Sequence, residues 1–179
     1  MRTMKSYRLG LLALFALLAG CADLDNFEVE IEEITSVPGA TAIEVLLDGF
    51  PVTDGLASFD ITEASEFKNS EYSPEDVEGV ELKRLTMSVV SPDGQDLSFF
   101  GEVVFLLSAE GLPTIEVASA SEFPDGADSV NFNTSTANIK NYVLANKGTF
   151  TVQVRDTKRP PQETSLKIKA VFDVDLGIL

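Results

Sequence analysis

Two stretches of the chain repeat a pattern of residues that could bind a cation. They read SPDGQD at 91–96 and FPDGAD at 123–128, and both contain Pro-Asp-Gly followed by a second aspartate. Their carboxylates could supply the oxygen ligands that Ca²⁺ prefers, and they belong to Asp93, Asp96, Asp125 and Asp128. A calcium-binding EF-hand loop needs about five ligand positions over about twelve residues, and neither stretch has them. Proline at the second turn position followed by Asp-Gly is typical of turns between strands. We therefore predict two turns and no metal; calcium loops and an internal repeat are the alternatives.

The residue types that the chain lacks exclude several catalytic mechanisms. The chain contains no histidine and no tryptophan. The absence of histidine excludes Ser-His and Cys-His nucleophile pairs and histidine-ligated zinc or haem. Neither a P-loop nor a GxGxxG pattern is present. Paired carboxylates could still hydrolyse glycosides, but acidic residues on outward strand faces are expected in any case. The sequence therefore predicts that the protein is not an enzyme.

The amino terminus has the three parts of a secretory signal. Arg2, Lys5 and Arg8 precede an apolar run at 11–19, which ends next to the sole cysteine, Cys21. Basic residues, a short apolar run and small residues at its end are typical of a signal peptide. The run is too short to span a bilayer, which requires about 20 apolar residues. The protein is therefore expected to be exported.

The last residues of this signal, Leu18, Ala19, Gly20 and Cys21, resemble the lipobox of bacterial lipoproteins. The resemblance covers residues 1–21 only. It implies that signal peptidase recognises the first three residues, that cleavage falls before Cys21, and that lipid is attached to its sulfur. Residues 1–20 would then be a signal peptide and residues 21–26 a short tether. A conventional cut after Ala22 and an uncleaved anchor are the alternatives.

Lipid on Cys21 is the only covalent group that the sequence predicts, with no other cofactor. The resemblance implies two or three acyl chains, and two or more chains make membrane attachment stable. In enteric bacteria an aspartate directly after the cysteine retains a lipoprotein in the inner membrane. The residue here is Ala22, so the analogy favours the outer membrane over the inner membrane of the cell envelope.

Charge argues against a nucleic-acid partner. Without residues 1–20, the chain has 10 Lys and Arg against 29 Asp and Glu, a net charge of −19, which repels phosphate backbones. The stretch from Cys21 to Phe67 contains no basic residue, and seven of the ten basic residues lie between Lys140 and Lys169. This asymmetry predicts either solvated strand faces, which we favour, or a surface with an acidic side near the anchor and a basic patch elsewhere.

Alternation of apolar and polar residues dominates the rest of the chain. It is clearest in FEVEIEE at 27–33, FTVQV at 150–154 and LKIKAVFDV at 166–174, and it is typical of half-buried strands. EVVFLLS at 102–108 is almost continuously apolar, which indicates a central strand. Further candidates are AIEVLL at 42–47, LASFDI at 56–61, LTMSV at 85–89, TIEVA at 114–118 and VNF at 130–132. Short, turn-separated strands predict one all-β domain at 27–179, an antiparallel β-sandwich of immunoglobulin-like or jelly-roll-like type with eight to nine strands.

Two short helices are expected to cap this sandwich. Ser73 followed by Pro74 and two acidic residues has the composition of a helix start, which would run to about Gly79. STANIKNYVLANKG at 135–148 places Ile139 and Val143 on one face, with glycine at its end.

Three functional hypotheses follow. The first is a membrane-anchored, non-catalytic envelope lipoprotein that binds a protein partner or organises an assembly. The second is a calcium- or glycan-binding module, and the third is a small carboxylate-based hydrolase.

Overall fold

The computed structural model describes residues 26–39, 61–69, 71–144, 148–155, 158 and 160–177. Eight strands lie within these ranges: β1 (Asn26–Val37), β2 (Val77–Ser91), β3 (Glu102–Ser108), β4 (Ile115–Ala120), β5 (Ser129–Asn131), β6 (Asn133–Thr134), β7 (Thr149–Arg155) and β8 (Thr164–Leu176). They are joined by a 3₁₀ turn (Ile61–Glu63) and two short helices, α1 (Ser65–Lys68) and α2 (Lys140–Val143). The predicted strand at 42–47, and the one at 56–61 apart from Ile61, lie outside the described residues.

The strands form two antiparallel sheets of four strands each. The order is β1-β8-β2-β5 in the first sheet and β6-β4-β3-β7 in the second. β8 pairs with β1 from Thr164, opposite Val37, to Asp175, opposite Asn26, and it pairs with β2 on its other side. β3 lies between β4 and β7, as its apolar sequence predicted. The predicted all-β antiparallel sandwich is thereby confirmed.

The two-residue period decides which side chains form the core. Every second residue of β8 is buried: Thr164, Leu166, Ile168, Ala170, Phe172, Val174 and Leu176. The inward faces of β2, β3 and β7 contribute further apolar side chains to the same core. The sheets meet through these faces, since the ring of Phe150 in β7 lies 6.3 Å from that of Phe172 in β8. Burial of this apolar area supplies the main stabilisation, at about 25 cal/mol per Å².

One segment connects the two sheets along their side. β5 pairs with β2 in the first sheet, and β6, one residue later, pairs with β4 in the second. Phe132, between them, is buried and donates its backbone N–H to the Leu85 carbonyl at 2.9 Å. Its ring meets that of Phe105 edge-on at 5.1 Å. The chain therefore changes sheets at Phe132, and this aromatic side chain fills the corner.

The sandwich has two ends. We call the end where β1 begins and β8 ends the β1 end; it contains Asn26 and Leu176. We call the opposite end, where β2 finishes and β8 begins, the turn end; it contains Ser91 and Thr164. The stretches at 91–96 and 123–128 lie at the turn end.

The two predicted helices have different outcomes. α2 lies within the predicted stretch 135–148, at the β1 end, where the Tyr142 hydroxyl donates to the Pro113 carbonyl at 2.8 Å. The helix predicted from Ser73 is wrong, because that stretch forms a single turn and β2 begins directly after Asp76. The Asp76 carboxylate accepts the backbone N–H and the hydroxyl of Ser73, both at 2.7 Å. Within the described ranges no helix is long and apolar enough to cross a membrane.

Removing a central aromatic side chain tests this core. Phe105 is 1% exposed, and we expect Phe105→Ala to lower the free energy of unfolding by about 3–5 kcal/mol, because the truncation leaves a cavity. Thr151→Ala, on the exposed face of the neighbouring β7, should change it by less than about 0.5 kcal/mol. Urea unfolding of both variants measures the difference. Equal effects would contradict the assignment of Phe105 to the core.

Candidate functional site

Both Pro-Asp-Gly-x-Asp stretches form turns of the same geometry, the first turn at 92–95 and the second turn at 124–127. In each, the residue after glycine donates its N–H to the proline carbonyl, at 3.2 Å in the first turn and 3.1 Å in the second. Gly94 and Gly126 have φ values of 77° and 78°, as the third position of a type II turn requires. Proline therefore occupies the first turn position, not the second as predicted.

Asp96 joins the two turns. One carboxylate oxygen accepts the hydroxyl and backbone N–H of Ser98, at 2.7 and 3.1 Å, and the other accepts the backbone N–H of Gly126 at 2.7 Å. These bonds, that of the Ser98 hydroxyl foremost, hold the pKa of Asp96 below its usual value. Beside them, the Leu97 N–H donates to the Ala127 carbonyl at 2.9 Å. The structure thus brings together two stretches that lie about 30 residues apart in sequence.

The other three aspartates of the turns, Asp93, Asp125 and Asp128, are exposed. Among the described residues, no group of three or more acidic, histidine or cysteine side chains is placed to hold a metal ion. Both carboxylate oxygens of Asp96 accept hydrogen bonds, one from Ser98 and the other from Gly126. These bonds give Asp96 a structural role, and the absence of a metal from the turns stays a prediction.

A polar groove opens beside the second turn, between the end of β4 and the edge strand β5. We call it the β4–β5 groove. Its volume is about 470 Å³, and it is lined by Ala120, Ser121, Glu122, Pro124, Ala127, Ser129, Val130, Asn131 and Asn133. Neither alternation nor turn signals predicted this groove, because it arises where the chain changes sheets at Phe132. A partial signal was present in the two asparagines that flank this buried aromatic residue.

Most polar side chains of the groove are available to a ligand. Within the part of the chain that the structure describes, the side chains of Ser121, Glu122, Ser129 and Asn133 make no hydrogen bond. The side-chain oxygen of Asn131 accepts the Thr86 hydroxyl at 2.7 Å, which orients this amide and leaves its NH₂ group for other partners. The groove therefore offers hydroxyl, amide and carboxylate groups along one wall.

A second polar cavity, of about 300 Å³, lies at the β1 end and includes Glu81, Asp173 and Asp175 in its lining. Asn138 in its wall is bonded to the fold through both ends of its amide. Its oxygen accepts the backbone N–H groups of Val80 and Lys140, at 3.2 and 3.0 Å, and its NH₂ group donates to the Glu78 carbonyl at 3.4 Å. The side chain of this asparagine thus anchors the start of α2 to β2. This cavity has an acidic lining and lies on the side of the domain where the chain enters.

Charges on the outer face of the first sheet alternate in sign. Lys83 lies 2.9 Å from Glu28, and Lys169 lies 2.6 Å from Glu30. Hydrogen bonds to these carboxylates raise the pKa of Lys83 and of Lys169, and the bond from Lys83 lowers the pKa of Glu28. The acidic β1 therefore faces basic residues of β8 and β2, which supports solvated strand faces over a surface divided into an acidic side and a basic patch.

Leu18, Ala19, Gly20 and Cys21 lie outside the described residues, so their role in lipidation stays a prediction. Before β8, the Lys158 N–H donates to the Phe99 carbonyl at 2.6 Å, which holds Lys158 at the turn end. No protein-family model matches the chain, and no curated protein matches its sequence.

We call the hydrogen bonds from Ser98 and Gly126 to the Asp96 carboxylate the Asp96 bridge. This bridge makes the free energy of unfolding depend on pH in the acidic range. A carboxylate whose pKa is lowered on folding adds stability above its usual pKa of 3.8 and loses it as the pH falls through the lower folded-state value. At about pH 6 we expect Asp96→Asn to unfold at a lower urea concentration than the wild type. The difference between the two urea midpoints should become smaller as the pH falls towards about 2. Urea unfolding across this range measures the effect.

Asp125→Asn is the matched control, because Asp125 is exposed at the tip of the second turn and none of the bonds between the turns involves its side chain. This variant should follow the wild-type profile at every pH. A gap between Asp96→Asn and wild type that stays constant with pH would contradict a bridge that depends on the ionised carboxylate.

Proposed function

We propose that this protein is a lipid-anchored, non-catalytic binding domain of a bacterial cell envelope. The Leu-Ala-Gly-Cys sequence at 18–21 supports the anchor, because several acyl chains on Cys21 would hold the protein at the membrane. The β-sandwich supports a binding role, since folds of this type present loops at their ends from a rigid body.

The position of β1 carries this proposal. β1 begins at Asn26, five residues after Cys21. Five residues span at most about 17 Å, at about 3.4 Å per residue. An anchor on Cys21 would therefore keep the β1 end close to the membrane. The 12 residues of β1 extend over about 36 Å, so the turn end would be the part of the domain that an envelope partner can reach.

Electrostatics supports attachment through acyl chains rather than through the protein surface. Glu81, Asp173 and Asp175 line the cavity at the β1 end, and these carboxylates would be repelled by anionic lipid headgroups. Ala22 after the cysteine, in place of the retaining aspartate of enteric lipoproteins, favours the outer membrane.

The binding role is proposed in preference to catalysis because the chain has no histidine and its sole cysteine is Cys21. Among the described residues of the turn end, Asp96 is the carboxylate that hydrogen bonds hold in place, and its two oxygens accept bonds from Ser98 and Gly126. We propose no cofactor beyond the lipid and no nucleic-acid partner.

Expression of the wild type beside Cys21→Ser in an enteric bacterium tests the anchor. We expect the wild type to fractionate with the outer membrane, with an intact mass that starts at Cys21 and includes acyl chains. Cys21→Ser should lose the acyl mass, because serine offers no sulfur to the lipid. Intact mass spectrometry and membrane fractionation measure both properties.

Ala22→Asp is the matched variant for sorting. It should keep the acyl mass but fractionate with the inner membrane, as the lipoprotein resemblance implies. A wild type that is soluble, unlipidated and cut after Ala22 would overturn the anchor.

A further inference from the structure

We propose that the β4–β5 groove binds a neutral, hydroxyl-rich oligosaccharide of the cell envelope. This inference deepens the proposed function by naming a ligand class, and it rests on that function only for the place where the ligand is met. The groove lies at the turn end, on the side away from the β1 end where the anchor would lie.

The lining of the groove matches sugar hydroxyl groups, which both donate and accept hydrogen bonds. Glu122 offers carboxylate oxygens as acceptors, Asn131 offers a free NH₂ group, and Asn133 offers both an oxygen and an NH₂ group. Ser121 and Ser129 add hydroxyl groups that can take either role. Planar amide and carboxylate groups can each contact two neighbouring hydroxyl groups of one sugar ring.

The same lining disfavours other ligand classes. It contains no lysine or arginine, so no positive charge in the lining would attract an anionic ligand. A bound Ca²⁺ takes about six to eight oxygen ligands, and Glu122 is the single carboxylate of the lining. Its apolar residues are small: Ala120, Pro124, Ala127 and Val130. A peptide would find no deep apolar pocket there for an aromatic or aliphatic anchor side chain.

The groove also has a suitable size and a fixed wall. Its volume of about 470 Å³ lies within the range of small-ligand sites, about 300–1,000 Å³. The second turn contributes Pro124 and Ala127 to one wall, and the bond from the Gly126 N–H to Asp96 holds this turn in place. A wall that is already ordered reduces the entropy lost on binding. Because no aromatic ring lines the groove, hydrogen bonds would supply most of the affinity, and we expect millimolar dissociation constants.

Saturation-transfer NMR of the full-length lipidated protein, in a detergent without a sugar headgroup, tests the inference. The probes are a tetramer of N-acetylglucosamine and a tetramer of glucose, which distinguish an amino-sugar polymer from a neutral hexose polymer. We expect saturable binding of at least one probe. Glu122→Gln and Asn133→Ala should each weaken it about tenfold, the effect of losing a hydrogen bond to a charged or well-placed group.

The controls carry the same substitution chemistry outside the groove. Glu116→Gln on β4 and Gln153→Ala on β7 change exposed residues and should bind the probe like the wild type. Absence of saturable binding of both probes, or equal loss in groove and control variants, would overturn the proposal. Fractionation of Cys21→Ser reports on the anchor without any sugar, so failure of this inference is distinguishable from failure of the proposed function.

Discussion

The pairing of β1 with β8 is the constraint on which the described structure depends. These strands come from opposite ends of the described chain and pair over twelve residues without a register shift. Side chains alternate between the faces of a sheet, so a slip of one residue would turn the apolar set of β8 towards water. On the outer face, Lys169 lies opposite Glu32 in this register and its ammonium group lies 2.6 Å from the Glu30 carboxylate. Even Val171, which points outward, is buried; its register neighbours Glu30 and Arg84 can cover it with their aliphatic stems.

Local pattern was sufficient to predict most of this architecture, because a half-buried strand requires apolar and polar residues to alternate along the sequence. β1, β3, β7 and β8 are found where alternation or continuous apolarity placed them. The failure at Ser73 has a physical cause: Ser-Pro-Glu-Asp satisfies both a helix start and a tight turn. The strand that begins at Val77 decides between them. Its inward side chains, such as Val80 and Leu82, are buried in the core, and this burial stabilises the fold more than one further helical turn would.

Long-range arrangement could not be predicted in the same way. Proline, aspartate and glycine indicated both turns at the turn end. The bond from Gly126 to Asp96, however, depends on how two separate loops pack. The antiparallel pairing of β1 with β8 likewise brings an acidic segment against a basic one, so that an uneven charge distribution in sequence becomes an alternating one on the surface. The β4–β5 groove is harder still to predict from local sequence, because it exists only where the chain passes from one sheet to the other at Phe132.

The turns and the groove are parts of one arrangement. Asp96 could have served as a ligand for a cation, and the fold instead uses its carboxylate to hold the second turn through the backbone N–H of Gly126. Hydrogen bonds to an ionised acceptor are stronger than those between neutral groups, so the Asp96 carboxylate helps to order the loop that forms one wall of the groove. No aromatic side chain lines the groove, so ring stacking cannot contribute to sugar binding there. Sugar binding in the groove would then depend on polar groups at fixed positions, and the bond from Gly126 to Asp96 holds the turn beside these groups, at the end of the sandwich farthest from the proposed anchor.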